Sequence, residues 1–243
     1  MSGSANNEMW VCELGMVPYP DALALQEDLR ERRIAELVPD TLLLLEHPPV
    51  YTRGRRSADG ELLHDEAFYR ARGIDVVGCD RGGRITYHGP GQLVGYPVMR
   101  IADVGAYLRA MESAIVAALA VYGVGAHSRC DEGSDFTGVW VAQRKIASIG
   151  VHVSHGVTTH GFAINVSNDL EPFDLIVACG LPGVTMTTLQ RELAPARALG
   201  AHAFRRVVAR EFCAAYSRSA HGVDVARLAG AVGVSPALAG APT

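Results

Sequence analysis

Three β-like runs, Thr137 to Ala142, Lys145 to Val153 and Val157 to Val166, are separated by nothing longer than the turns at Gln143 and His155-Gly156. Connections this short admit antiparallel pairing alone, because a parallel neighbour needs a crossover of a dozen residues or more. The chain must therefore carry an antiparallel meander. Around it, Asp21 to about Leu37 has apolar residues at roughly helical spacing (Ala22, Leu25, Leu29, Leu37). Thr41 to Thr52 is an apolar run stopped by Pro48 and Pro49 and reads as a buried strand, followed by the arginine-rich loop Arg53, Arg55, Arg56. Residues 66 to 72 read as a short helix and Ile74 to Cys79 as a strand. Arg81 to Ile101 reads as strand, turn and strand about Gly89-Pro90-Gly91. Asp103 is placed to cap a helix with Leu108, Met111, Ile115, Ala118 and Leu119 on one face, ending at Gly123. Ser167 to Gly183 reads as loop, and Ala203 to Ala220 returns to helical spacing through Phe204, Val207, Val208, Phe212 and Tyr216. Strands clustered between helices, without strict alternation, predict an α+β fold with a largely antiparallel sheet.

At 243 residues and 49% hydrophobic content the chain suffices for one globular domain with a sizeable core. Residues 10–217 are the expected domain, with 1–9 and 218–243 as flexible termini. No window approaches the roughly eighteen uninterrupted apolar residues of a membrane span, and the polar start from Met1 to Trp10 does not resemble a signal peptide, so a cytoplasmic protein is expected. The five cysteines are odd in number, without a C-x-x-C, and read as reduced thiols. A net charge of −4 argues against nucleic acid, although Arg30, Arg32 and Arg33, or Arg53, Arg55 and Arg56, could form local patches for an acidic protein.

The 22 basic residues resolve into 21 arginines and one lysine, Lys145. Arginine stays protonated at any working pH, whereas a desolvated amine can release its proton. A coding preference for arginine explains the count as well as chemistry does. Strand alternation places Lys145 on the more apolar side with Ala147, Ile149, Val151 and Val153, pointing inward; a lysine at a strand end that snorkels to water is the bland alternative. Its best nucleophilic partner is Cys179, in the glycine-flanked loop from Ile176 to Gly183. Cys12 and Cys79 fall in expected strands, Cys213 on a helix beside core positions and Cys130 in a polar loop, where inert thiols are the rule. An amine that takes the Cys179 proton makes a Cys-Lys dyad; His88 or His160 could serve as base instead, and spacing does not decide between them. A hairpin centred on Gly156 would set His152 opposite His160, half a metal site, and no metal is expected. Arg81-Gly82-Gly83-Arg84 lacks the phosphate-loop pattern.

Taken together, EHPPVYTRGRR (46–56), DRGGRITYHGPGQLVGYP (80–97), GVWVAQRKIASIGVHV (138–153), THGFAINVSNDL (159–170) and the ACG around Cys179 resemble the lipoyl(octanoyl) transferase family over residues 10 to 215. The resemblance implies the fold of the biotin and lipoate ligase catalytic domains, a mixed, largely antiparallel sheet flanked by helices. It carries the family's acyl-thioester cysteine onto Cys179 and its lysine onto Lys145. Its substrate-binding segments fall on Arg81, Gly82, Gly83, Arg84, Ile85, Thr86, Tyr87 and His88, on Ser148, Ile149 and Gly150, and on Gly161, Phe162 and Ala163. Ala178 stands where many members have proline.

The implied activity is transfer of an octanoyl group from octanoyl-acyl carrier protein to the lysine of lipoyl domains, in the 2-oxoacid dehydrogenase complexes and the glycine cleavage H protein. It needs no cofactor, because an amide lies downhill from a thioester. Glycine-flanked backbone amides near Cys179 and the Lys145 ammonium are the expected oxyanion donors, with Gly150, Gly161 and Ala163 leaving room for the acyl chain. An ATP-dependent lipoate or biotin ligase of the same fold, and a non-catalytic module that binds acyl carrier or lipoyl domains, are the competing readings.

Overall fold

The computed structural model describes residues 7–181, 183–193 and 200–233. In chain order the elements are β1 (Glu8–Met16), α1 (Tyr19–Ile34), β2 (Asp40–Glu46), β3 (Val50–Arg53), α2 (Glu66–Arg70), β4 (Asp75–Gly78), β5 (Thr86–His88), β6 (Gln92–Val98), α3 (Val104–Val121), β7 (His127–Ser128), β8 (Gly138–Val141), β9 (Arg144–Ser154), β10 (Val157–Asn165), β11 (Thr185–Met186), α4 (Leu189–Glu192), α5 (Ala201–Ala215), β12 (Ser219–Gly222) and α6 (Val225–Val232). The large sheet runs β12-β1-β2-β6-β10-β9-β8-β7, with β11 beside β9; a small sheet runs β4-β3-β5. Along the path from β2 to β7 every pair is antiparallel, whereas β12, β1 and β2, and β11 with β9, pair in parallel, so the mixed, mainly antiparallel sheet is as expected.

The meander is β8-β9-β10, turning at Ala142-Gln143 and at His155-Gly156. One face of the sheet carries α3 and α5, with Phe162, Ile164, Ala147, Leu42 and Leu44 against Met111, Ile115 and Phe212. The Asp103 carboxylate caps α3, accepting from the Ala106 amide at 2.8 Å. By length and composition α3 is apolar enough to cross a membrane; here its Met111, Ile115, Ala118 and Leu119 are buried in the core. The other face carries α1 and α6, packing Ala22, Leu25, Leu29, Leu228 and Val232 on Leu43, Leu45, Val94 and Tyr96. Leu37, counted above with the apolar face of the first helix, lies beyond its end and is exposed.

Two expectations change. The run Thr41 to Thr52 is not one strand: Pro48-Pro49 breaks it, β2 stays in the large sheet and β3 crosses into the small one, because proline cannot donate to a ladder. Residues 219–232, expected within a flexible terminus, form β12 and α6. A short apolar stripe at Val225, Leu228 and Val232 suffices once α1 supplies the facing surface. Asp40, 3% exposed, anchors this return, receiving Arg33 Nε at 2.8 Å, Arg218 at 2.8 Å and the Arg100 amide at 3.0 Å. Residues 1–6 and 234–243 of the expected termini lie outside the described residues.

Candidate active site

Lys145 is 1% exposed, confirming the inward direction. The reason differs from simple alternation. Val139 pairs with Ala147 but Trp140 with Lys145, so Ile146 is an extra residue on β9. This bulge resets the period, and Lys145 and Ser148, three apart, line the same cavity of about 290 Å³. The lysine stem runs over Gly138, where an added Cβ would lie 2.9 Å from Cε, and its Nζ sits 5.3 Å from the Trp140 ring centre. β11 fixes its backbone, Met186 pairing with it and the Thr187 amide donating to its carbonyl at 2.9 Å.

Cys179 reaches the cavity from the loop after β10. It sits in a 3-10 turn at φ 57°, a left-handed conformation rare outside glycine, followed by Gly180 at φ 69°. Its Sγ lies 3.8 Å from the Ser148 hydroxyl. The turn is held from several sides. The Cys179 amide donates to Ile85 O at 3.0 Å, the Val177 amide to Glu61 O at 2.8 Å, and the Glu61 carboxylate takes Arg84 at 2.9 Å. The backbone amides expected as oxyanion donors are occupied: besides Cys179 N, Gly180 N donates to Val177 O and Leu181 N to Ala178 O, both at 3.1 Å. Lys145 Nζ and the Ser148 hydroxyl are the candidate donors, and the buried Thr86 hydroxyl has no partner among the described residues.

Residues 81–84 fold over the edge of β9 that β8 leaves uncovered, where the Gly82 amide donates to Val151 O at 2.8 Å. A Cβ on Gly150 would meet Gly82 O at 2.7 Å, so Gly150 admits this loop, and Gly161 admits the β6 backbone at Gly95; neither is small to make space for a substrate. Arg81 is buried among neutral acceptors, with Thr52 O at 2.6 Å, Thr52 Oγ1 at 2.8 Å and Gly82 O at 3.1 Å. Arg81, Gly82, Gly83, Arg84, Thr86, His88, Ser148, Ile149, Gly150, Gly161, Phe162 and Ala163 all line the cavity with Lys145 and Cys179. Ile85 and Tyr87 do not: alternation turns them into the separate core of the small sheet with Tyr51, Tyr69 and Phe173.

Around His160, histidines and tyrosines pack ring against ring, Tyr19 against His47 and His88 and Tyr96 against His160, with their polar tips hydrogen-bonded in separate sets. His152 does not face His160, since it pairs with Thr159 and His160 with Val151. The two meet instead on Asp80, His160 Nε2 at 2.7 Å and His152 Nε2 at 3.4 Å, because His160 is left-handed (φ 58°) within β10 and leaves the strand's alternation. Neutral His160 donates Nε2–H to Asp80 and its Nδ1 faces the Tyr19 hydroxyl at 3.5 Å. His47 donates to Val17 O at 2.6 Å and accepts from Tyr96 OH at 2.7 Å. His88 Nδ1 donates to Gln92 Oε1 at 2.8 Å. Burial pulls the His47 pKa down to about 4, and burial with neighbouring His47 and Arg81 holds His88 well below the usual range. Burial also lowers His160, outweighing the opposite pull of Asp80. Among the described residues no cluster of three or more His, Cys, Asp or Glu could hold a metal ion. Tyr19, Tyr96 and Asp80 were not predicted. Asp80 opens the DRGGR segment and was within reach, but nothing local marks Tyr19, which belongs to a helix distant in sequence.

This cavity and sheet define a class. The model of the lipoyl protein ligase A/B catalytic domain matches residues 18–213, and the chain belongs to that family. A bipartite lipoate protein ligase from Thermoplasma acidophilum shares the fold, with a TM-score of 0.71 and 17% identity over 93% of this chain and 90% of that one. Within the family the sequence is most informative. A protein of Rubrobacter xylanophilus named octanoyltransferase is 48% identical over 185 residues, 74% of this chain and 81% of that relative. An octanoyltransferase of Acidobacterium capsulatum is 41% identical over 216 residues, 82% and 86% respectively. The chain is therefore a member of the octanoyltransferases, a family of acyltransferases.

Proposed function

We propose that this chain moves an octanoyl group from octanoyl-acyl carrier protein to the lysine of a lipoyl domain, through a thioester on Cys179 with Lys145 as acid and base. The observation that carries it is the convergence of the chain's one lysine, buried on β9, and a left-handed cysteine on one cavity. Lys145 takes the Cys179 thiol proton, and the thiolate adds to the donor thioester carbonyl. The Lys145 ammonium and the Ser148 hydroxyl receive the oxyanion. As the intermediate collapses, the carbon–sulfur bond to the carrier breaks, and its thiolate leaves with the proton from Lys145. In the second half an acceptor ε-amine attacks the Cys179 thioester, the Cys179 thiolate leaves, and Lys145 takes the proton the new amide sheds. No bond formed is less stable than the one broken, so no nucleotide is consumed.

The acceptors fit lipoyl domains of 2-oxoacid dehydrogenase complexes and the glycine cleavage H protein. The T. acidophilum ligase, described together with its E2 lipoyl domain, supports an acceptor of that kind, and the proposed place of the reaction is the cytoplasm. The test is intact mass spectrometry after mixing with octanoyl-acyl carrier protein, followed by peptide mapping. An octanoyl adduct on Cys179 is expected. Octanoyl transfer to a lipoyl domain without any adduct overturns the covalent route, and pyrophosphate release from ATP and free octanoate, without transfer from the carrier, would make the chain a ligase.

A further inference from the structure

Two non-glycine residues lining the cavity have left-handed backbones, Cys179 (φ 57°) and His160 (φ 58°), and the strand register sets them apart along it. Cys179 lies against Ser148, whose cross-strand partner is Ala163. His160 pairs with Val151, three residues further along β9, a distance of about 10 Å at the rise of an antiparallel strand. Seven C–C bonds of about 1.5 Å in an extended zigzag span about 9 Å, the length of an eight-carbon chain. Past that point the slot meets side chains that have no freedom to move aside. His160 is fixed by Asp80 at 2.7 Å, and its own amide donates to Gln26 Oε1 of α1 at 2.6 Å. Tyr19, 3% exposed, has its hydroxyl toward His160 and its ring stacked on His88, 6.2 Å between centres and 13° between planes. Tyr96 is held by His47. Because their polar tips are engaged with one another, this group offers ring surface to an incoming chain and leaves no hydrogen-bonding group asking for a ligand.

From this geometry we infer that Tyr19 and His160 form the end stop that sets the length of acyl chain accepted. The inference rests on the acyl-transfer reading and specifies it. Residues that only wall the slot's sides change the fit of all chains alike. An end stop changes the discrimination between chains, because each methylene that finds no buried place forfeits roughly a fourfold gain in binding.

The experiment compares wild type, Tyr19→Phe and Tyr19→Ala in the full-length chain, with N-acetylcysteamine thioesters of 6, 8, 10, 12 and 14 carbons in competition. Adducts on Cys179 are quantified by intact mass. Wild type and Tyr19→Phe are expected to favour 8 carbons, with adducts falling steeply by 12. Tyr19→Ala is expected to raise the 12-to-8 carbon ratio at least tenfold. Should Tyr19→Ala fail to fold, Tyr19→Leu shortens the wall while keeping apolar bulk beneath α1, and its ratio decides. Parallel chain-length profiles in wild type and the shortened variant overturn the end stop. The second arm measures equilibrium binding of straight-chain carboxylates of the same lengths by calorimetry. It does not depend on the cysteine chemistry, so absent adducts with affinity that still plateaus after 8 carbons, and later in Tyr19→Ala, refute the thioester and uphold the stop. Affinity that climbs uniformly to 14 carbons in wild type, or no binding at any length, overturns the stop.

Discussion

Acidification tests the buried histidine cluster most directly, because the sign and size of its effect follow from which protonation state the fold holds. His47 has both ring nitrogens committed, one to Val17 O and one to Tyr96 OH, and burial lowers its pKa from 6.5 to about 4. Below pH 6.5 the unfolded chain binds this proton and the native chain does not, so the unfolded state gains stability as pH falls, until the native histidine also protonates near pH 4. Between pH 7 and pH 5 the loss from His47 is about 2 kcal/mol, at about 1.4 kcal/mol per pKa unit. His88, held well below its usual range by burial and by neighbouring His47 and Arg81, adds a loss of the same sign. His160 adds in the same direction. The Asp80 carboxyl would be raised by burial, but the hydrogen bond it receives from His160 holds it low; its contribution is lost only in more acid solution, outside this window. About 2 kcal/mol from His47 alone is already a large share of the roughly 5–15 kcal/mol typical of a folded domain. Urea unfolding at pH 7, 6 and 5 and constant ionic strength should show stability falling by at least about 1 kcal/mol per pH unit between 6 and 5. His47→Gln keeps a donor and an acceptor but cannot titrate, so its slope should be shallower by about 1 kcal/mol per unit. Equal slopes in wild type and His47→Gln would refute the account of His47 as a neutral, buried group.

Lys145→Arg should leave the far-UV spectrum unchanged while lowering the rate of Cys179 acylation about a hundredfold or more, read by timed intact mass; near-normal rates exclude a proton-transfer role. Gly180→Ala places a Cβ on the Arg84 side chain at a position with φ 69°, which strains the turn and dislodges Arg84 from Glu61. We expect about 1 kcal/mol of destabilisation in denaturant titrations, with a larger relative fall in acylation rate. Asp40→Ala leaves Arg33 and Arg218 without their shared carboxylate and frees the β12 and α6 return. A loss of about 3–5 kcal/mol is expected, accompanied by faster hydrogen exchange in residues 219–232; unchanged exchange there would show that the anchor lies elsewhere.

Much of this molecule is written locally. The turns at Gln143 and His155-Gly156 dictate the meander and Asp103 starts α3, because each depends on periodicity and turn chemistry among residues a few positions apart; the roles expected of Cys179 and Lys145 come from the resemblance of the quoted segments to a family. What escaped the local reading are departures from period, each stabilised from far along the chain. Ile146 as an extra residue brings Lys145 and Ser148 to one wall, and a left-handed His160 turns toward an aspartate 80 residues away and a tyrosine 141 residues away. The short α6 becomes a helix because α1 covers its apolar stripe. The sequence by itself determined the central meander with its antiparallel order, and it pointed to Cys179 and Lys145 as candidates for a dyad. Only the tertiary structure decided which groups stand around them, that the amides beside Cys179 are already bonded, and where the slot ends, since contacts between residues remote in sequence form only when the sheets and helices have packed.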